Sequence, residues 1–340
     1  MLSVVIITRN TKELVANLLE SIRKDHALEP FLREVILVDN GSSDGTDTMV
    51  GERFPWVSLL RNTENRGFAA AANAGILQSA GEYVLLLNSD TLLIEGKIVK
   101  MLEFMTANKD VGICGPQLVH GNMTPQRSYA HIPSLLFEIV PRSFLEFALP
   151  ARFSTKGPGH GGHVFTQYSG GGRRLLDSGG ETAPMPRDVP SLIGAAIMGR
   201  RETLDSVGGF DERFFFFLEE TDLCLRIKEK GARVVFFPQS SVIHLQGKTV
   251  RRNWVRGRIQ YNISLYKFIR KNRPILYYRA FQAVRVGKCL FMILLLSVLP
   301  FLLVREKTRR TYLYYLDLFL WHLRTCPDDA GLLASFPGQR

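Results

Sequence analysis

The segment YVLLLNSDTLL, residues 83–93, is an apolar run broken by Asn88, Ser89 and Asp90 before Leu92 and Leu93 resume it. Asn, Ser and Asp bond their own backbone and favour turns, so the triplet alone reads as a strand end. Its neighbours give it more meaning. Three similar apolar segments precede it: SVVIIT (3–8), EVILVD (34–39) and WVSLLR (56–61). Between the first two, Leu14, Val15, Leu18, Leu19 and Ile22 fall at helical spacing, and Ala70, Ala71, Ala74, Ile76 and Leu77 form a second helical stretch. Strands alternating with helices predict an α/β domain on a mostly parallel, mixed sheet flanked by helices. Ligands of such sheets bind beyond the carboxyl ends of the strands. Thr8-Arg9-Asn10, Asp39-Asn40, Asn62 to Asn65 and Asn88-Ser89-Asp90 are then four polar clusters delivered to one edge.

The chain has 340 residues, 46% of them hydrophobic, enough for one large domain with an appendage or for two domains. Cys114, Cys224, Cys289 and Cys326 are scattered, which argues against a zinc site or a disulfide framework and for a reducing, cytoplasmic setting. The first strand begins almost at once, without the charged leader of a secretory signal, so export is not expected.

The net charge of +11 is unevenly spread. No Asp or Glu occurs from Lys230 to Arg305, and twelve basic residues crowd Lys248 to Lys288. Such charge attracts nucleic acid, phosphorylated substrates or anionic lipid. The adjoining apolar run CLFMILLLSVLPFLLV, residues 289–304, favours lipid and argues against nucleic acid. Its sixteen residues, interrupted by Pro300, fall short of the ~20 that span a bilayer, so an interfacial or re-entrant segment is expected. Residues 154–181 are glycine-rich and read as a flexible insertion or lid, with His160 and His163 solvated.

The motifs exclude two common nucleotide chemistries. TRNTKE follows the first strand where a dinucleotide site needs G-x-G-x-x-G, and no Walker-type loop is present. VDNGSSDGT instead places Asp39 at a strand end before a glycine-rich turn, where a carboxylate can accept hydrogen bonds from a ribose hydroxyl or a base N–H. In DERFFFFLEETDLCLRI, residues 211–227, Glu219, Glu220 and Asp222 follow four phenylalanines. Acids there suit a helix N-terminus, and one of them desolvated by the aromatic run suits a general base. His244, in VIHLQG, beside Asp90 would complete a site for a divalent cation, Mg²⁺ or Mn²⁺.

Taken in order, VVIITRN, LVDNGSSDGT, NRGFAAAANAG, LLLNSDT, GGFDERFFFFLEETDLCLR and HLQG resemble the family 2 glycosyltransferases, especially the bacterial rhamnosyltransferase-like branch. The resemblance implies a GT-A fold over residues 1–250, with 1–110 as nucleotide-binding half and 111–250 as acceptor and catalytic half, followed by a basic, apolar helical extension over 251–340. It implies inverting transfer of a sugar from a nucleoside diphosphate, rhamnose on thymidine diphosphate or a uridine-linked sugar. The acceptor would be a saccharide or lipid-linked saccharide of a cell-surface polysaccharide, met at the cytoplasmic face of the membrane. Thr8, Arg9, Asn10 and Asp39 would hold base and ribose, with Asn65, Gly67, Asn73, Asn88 and Ser89 near the nucleotide sugar. Asp90 would bind the metal as the last residue of a D-x-D-like triplet whose first position is here Asn88, and His244 would be a second ligand. The family's Glu-Asp pair is Glu219-Glu220, making Glu220 the base. Two rival readings are a nucleotidyltransferase, which needs a more basic first loop than Arg9 and Lys12 supply, and a non-catalytic nucleotide-sugar-binding membrane protein.

Overall fold

The computed structural model describes residues 1–140, 142–148, 185–245, 254–298, 305–324 and 326. The glycine-rich 154–181 segment with its two histidines, and residues 299–304 of the apolar run, lie outside the described residues. The chain divides into two compact units. One comprises Met1–Ile132, Glu146–Phe215 and Glu219–Gln246, the other Pro133–Leu145, Phe216–Leu218 and Gly247–Arg340.

The first unit opens with β1 (Leu2–Thr8), α1 (Lys12–Arg23), β2 (Leu32–Asn40), α2 (Thr46–Arg53), β3 (Val57–Asn62), α3 (Phe68–Gln78) and β4 (Tyr83–Asn88). There follow β5 (Thr91–Leu93), α4 (Lys97–Ala107), β6 (Val111–Val119) and β7 (Tyr129–Ala130). The next helices are α5 (Leu136–Ile139) and α6 (Arg142–Ala148). Beyond them come β8 (Arg187–Asp188), β9 (Ser191–Leu192), β10 (Ala196–Arg200), α7 (Arg201–Ser206), α8 (Glu219–Glu229) and β11 (Arg233–His244). The second unit is carried by α5 and three long helices, α9 (Trp254–Asn272), α10 (Ile275–Val298) and α11 (Glu306–Leu323).

All seven side chains of β1 are buried, as expected of a strand covered on both faces. Val4 and Ile6 pack with Val15, Leu18 and Leu19 of α1, while Val5 and Ile7 pack with Ala69, Ala71 and Ala72 of α3. This period-two division makes the sheet a central layer between helices. Each fully buried Val, Leu or Ile contributes about 1.5–3 kcal/mol relative to exposure. The small residues of α3 bring it close to the sheet. A Cβ on Gly75 would lie 2.3 Å from Val5 Cγ1, so only glycine fits there.

The large sheet runs β3-β2-β1-β4-β10-β6-β11-β5, with β8 also paired to β11. The pairs among β1 to β4 are parallel, in the expected order of an α/β half. β10 is antiparallel to both β4 and β6, which makes the sheet mixed. The register sets Ile7 beside Asn88 and Thr8 beside Asp39, so the polar strand tips share one edge.

Candidate active site

The edge is wired by short polar side chains. Thr8 Oγ1 and Thr11 Oγ1 lie 2.7 Å apart, and Thr11 Oγ1 donates to Ser89 Oγ at 2.9 Å, tying the tip of β1 to that of β4. Asn10 takes a left-handed φ of 53°, which asparagine tolerates. Its N–H donates to Ser42 Oγ and its Oδ1 accepts from Ser43 N at 2.7 Å, stitching the first loop to the glycine-rich second one. Asp39 is buried, and its Oδ1 accepts from Ser42 N at 3.0 Å. Burial holds its carboxyl above the usual carboxylate range despite the Ser42 hydrogen bonds. Burial likewise lowers the Arg9 guanidinium, against the charge of Asp39.

Asn40 is a hub that residue type alone did not reveal. Its Nδ2 donates to Asn65 Oδ1 at 2.9 Å and Gly67 O at 3.0 Å, and its Oδ1 accepts from Asn62 Nδ2 and Arg66 N. Asn65 and Gly67 are therefore held in one loop. Gly67 has φ 84°, and a Cβ there would stand 2.6 Å from Phe215 O, the carbonyl that accepts from Phe68 N. Asn73 is turned elsewhere: its amide brackets Phe210 N and O and reaches Glu212 Oε1, clamping α3 to the 210–212 turn.

Asp90 and His244 meet at the far side of this edge. Asp90 Oδ1 is 3.5 Å from His244 Nε2, with both side chains mostly shielded. β11 ends at His244 antiparallel to β5, with His244 paired to Thr91, and Leu245 N donates to Asp90 O at 2.9 Å. The other imidazole nitrogen, Nδ1, faces Gln126 Oε1 at 3.1 Å. Gln126 is oriented by its own donor, since Nε2 donates to His244 O at 2.6 Å. Oε1 is then an acceptor and His244 Nδ1 carries a proton, which makes Nε2 the nitrogen that faces the carboxylate. With Nε2 unprotonated, the two would be a pair of donor atoms for a cation. Donor atoms ~2.1 Å from a metal at adjacent positions lie about 3 Å apart, so the 3.5 Å separation suits the pair to a shared cation. Among the described residues no group of three or more His, Cys, Asp or Glu is placed to hold a metal. A cation here would complete its shell from phosphate oxygens and water, the usual arrangement for Mg²⁺.

At the start of α8 the two glutamates separate in environment. Glu219 is 6% exposed, its Oε2 has no hydrogen-bond partner, and burial with the adjacent Glu220 charge holds its carboxyl well above the usual range. Glu220 is partly exposed and lies beside Gly194, where an added Cβ would come within 3.6 Å of its side chain. Asp222 is fully buried and engaged by Arg226 Nε at 2.7 Å, while Arg226 also holds Val207 O and Gly209 O. Asp222 therefore braces the helix rather than facing a ligand. Phe217 and Leu218, just before α8, have φ 71° and 64°. Bulky side chains in that region cost roughly 1–3 kcal/mol each, strain of the kind found at working sites.

The mixed sheet and its polar edge agree with what this chain is similar to. Over 246 residues it is 29% identical to the N-acetylglucosaminyl-diphospho-decaprenol L-rhamnosyltransferase of Mycobacterium tuberculosis, covering 69% of this chain and 74% of that one. It is 25% identical over 251 residues to the O-antigen biosynthesis protein RfbC of Myxococcus xanthus, covering 73% of this chain and 18% of that protein. Among solved structures, mannosyltransferase PcManGT from Pyrobaculum calidifontis, determined with GDP-Man and Mn²⁺, superposes with a TM-score of 0.53 at 18% identity over 94% of this chain and 87% of that one. That likeness identifies the fold as GT-A. The model of glycosyl transferase family group 2 matches residues 164–326. The model of glycosyl transferase family 2 matches residues 3–174, half of the chain, and the chain is thus a glycosyltransferase belonging to family 2.

Proposed function

We propose that the enzyme transfers a sugar, with inversion, from a nucleoside diphosphate to a hydroxyl of a lipid-linked saccharide during assembly of a cell-envelope polysaccharide. The observation that carries this reading is the Asp90–His244 pair at the edge where the strand tips converge. Thr8, Arg9, Asn10 and Asp39 would take the base and ribose, with Asn88 and Ser89 beside the diphosphate. Asp90 and His244 would hold a divalent cation that, when bound, offsets the charge of the leaving diphosphate. Glu220 accepts the acceptor's hydroxyl proton as its oxygen forms the new bond to the anomeric carbon. The bond from that carbon to the diphosphate oxygen breaks with its electron pair, and a single displacement inverts the centre. Burial and the adjacent Glu220 charge favour the proton on Glu219, the more enclosed member of the pair.

The donor reading, rhamnose on thymidine diphosphate, draws on the mycobacterial rhamnosyltransferase, a uridine-linked sugar being the alternative. A lipid-linked acceptor is further supported by α10, whose 24 residues are long and apolar enough to cross a membrane. Phe281, Cys289 and Leu296 are buried, but much of its apolar surface faces outward, with Phe291 62%, Leu294 64% and Val298 76% exposed, which disfavours a buried core helix. Arg279, Arg285 and Lys288 all lie within its first fourteen residues. The charge-free apolar run of the sequence, Cys289 to Val304, falls short of the ~20 residues that span a bilayer, so peripheral attachment at the inner membrane face is the reading it supports.

The test is a panel of nucleotide sugars scored for protection against thermal unfolding and for release of nucleoside diphosphate when a prenyl-diphosphate-linked N-acetylglucosamine is supplied. A donor that protects and is turned over only with acceptor and divalent cation supports the reading. Donor protection without turnover on any saccharide would turn it toward a sensor.

A further inference from the structure

The C-terminal unit encloses a cavity of about 460 Å³, within the ~300–1,000 Å³ of small-molecule sites. Its wall joins two chemistries: the cations of Arg258, Arg285 and Lys288, and the aromatic rings of Tyr261 and Tyr314. Among the described residues, Glu138 is the one acid that lines it. Glu138 is already shared, accepting from Arg285 Nη1 at 2.6 Å and lying 3.6 Å from Lys288 Nζ. Arg258 stacks over Tyr314, its guanidinium carbon 4.1 Å from the ring centre. Three cations against one carboxylate leave the wall positive.

Arg285 lies behind that wall: its side chain is 10% exposed, with Nη1 on Glu138 and Nη2 donating to Asn262 Oδ1. Arg258 and Lys288 are exposed, and an anionic oxygen entering the cavity would meet them as phosphate meets basic side chains, with Arg285 adding its charge from behind. The apolar part of the ligand follows from the same helix. Lys288 and Cys289 line the cavity, and Leu290, Phe291 and Leu294 come next on α10 with their side chains outward.

We infer that this cavity binds the phosphate or diphosphate head of an isoprenoid-type lipid, the apolar chain leaving along the outer face of α10. The inference rests on the lipid-linked acceptor reading and gives that acceptor a seat.

The experiment titrates the full chain, in EDTA to silence the cation site, with farnesyl diphosphate, inorganic diphosphate and farnesol by calorimetry. Farnesyl diphosphate should bind saturably and at least tenfold more tightly than either fragment. The Arg258→Gln/Lys288→Gln double variant, altered at two exposed positions, should weaken it at least tenfold while keeping the wild-type melting curve. Paired Glu138→Gln/Arg285→Met, which removes the buried ion pair without stranding a charge, should do the same. Equal binding by wild type and variants, equally tight binding of farnesol or of inorganic diphosphate, or no binding at all overturns the cavity. The same proteins are then assayed for sugar transfer. Unchanged acceptor KM in the double variant overturns the cavity and leaves the lipid-linked acceptor standing. Cavity-dependent binding with transfer only to lipid-free saccharides upholds the cavity and removes the acceptor reading.

Discussion

Asp90 and Glu219 belong to the same unit and are both well shielded carboxylates, yet they are held in opposite ways. Asp90 ends a strand and looks across 3.5 Å at an imidazole nitrogen whose orientation is set by Gln126. Glu219 begins a helix, is closed off from water, and has one oxygen unpaired beside the charge of Glu220. The first environment gathers a carboxylate and a ring nitrogen and so suits a cation. The second resists charge, which raises the proton affinity of Glu219. The proposed reaction uses both kinds of environment, a cation on the leaving side and Glu220 as proton acceptor on the attacking side.

The largest effect should come from removing the cation side altogether. Asp90→Ala is expected to abolish metal-dependent transfer while leaving the melting curve unchanged, because a strand-tip carboxylate contributes little to the core. Normal turnover in this variant would erase the contrast between the two carboxylates. Next, Glu220→Gln keeps shape and loses the proton acceptor, so the transfer rate should fall by roughly 10²- to 10⁴-fold with donor affinity retained. Single-turnover kinetics read this directly, and a crippled Glu219→Gln beside a mild Glu220→Gln would exchange the two roles.

A smaller loss is expected from Gln126→Leu. Residues that orient metal-binding histidines typically account for about 10- to 100-fold in metal affinity. Calorimetric Mn²⁺ titration in the presence of the nucleoside diphosphate checks this, and unaltered affinity would mean that Gln126 only supports the loop it sits in.

The mildest effect concerns stability and pH. Folding lets Glu219 keep its proton to higher pH than the unfolded chain does, whose glutamates titrate near ~4.3. The stability it supplies is complete below that value and is lost as pH rises through the raised folded value. Glu219→Gln should therefore melt higher than wild type at neutral to alkaline pH, with the gap closing in acid. Parallel melting curves across the whole range would show that Glu219 carries no such burden.

Much of the frame was legible in residue patterns. Apolar runs announced β1, β2, β3 and β4 to within two residues at either end; in β1, the centre of β2 and β4 they are continuous because both faces are buried, while the half-exposed edge strand β3 also carries Ser58 and Arg61. Asp39, Ser89 and Asp90 stood out because each breaks such a run. The insertion of β10, antiparallel between β4 and β6, was not legible, since strand order depends on contacts far apart in the chain. Nor was the length of α10, which takes in Ile275–Lys288 ahead of the apolar run, its buried Arg285 being stabilised by Glu138.

What the sequence determined by itself is which chemistry is present: a sheet with polar strand tips, an acidic pair after an aromatic run, a histidine at a strand end, and a basic, apolar tail. These are local properties, set by hydrophobic period and by residue type. What only the tertiary structure decided is how that chemistry is divided. Gln126 and Asn40 are ordinary amides in sequence, and become the residues that orient His244 and brace the Asn65–Gly67 loop only when β11 and the 62–67 loop arrive beside them. Glu219 and Glu220 are identical in type and adjacent in sequence, and differ in burial because successive residues on a helix point about 100° apart, so that burial raises the proton affinity of Glu219 while Glu220 stays partly exposed.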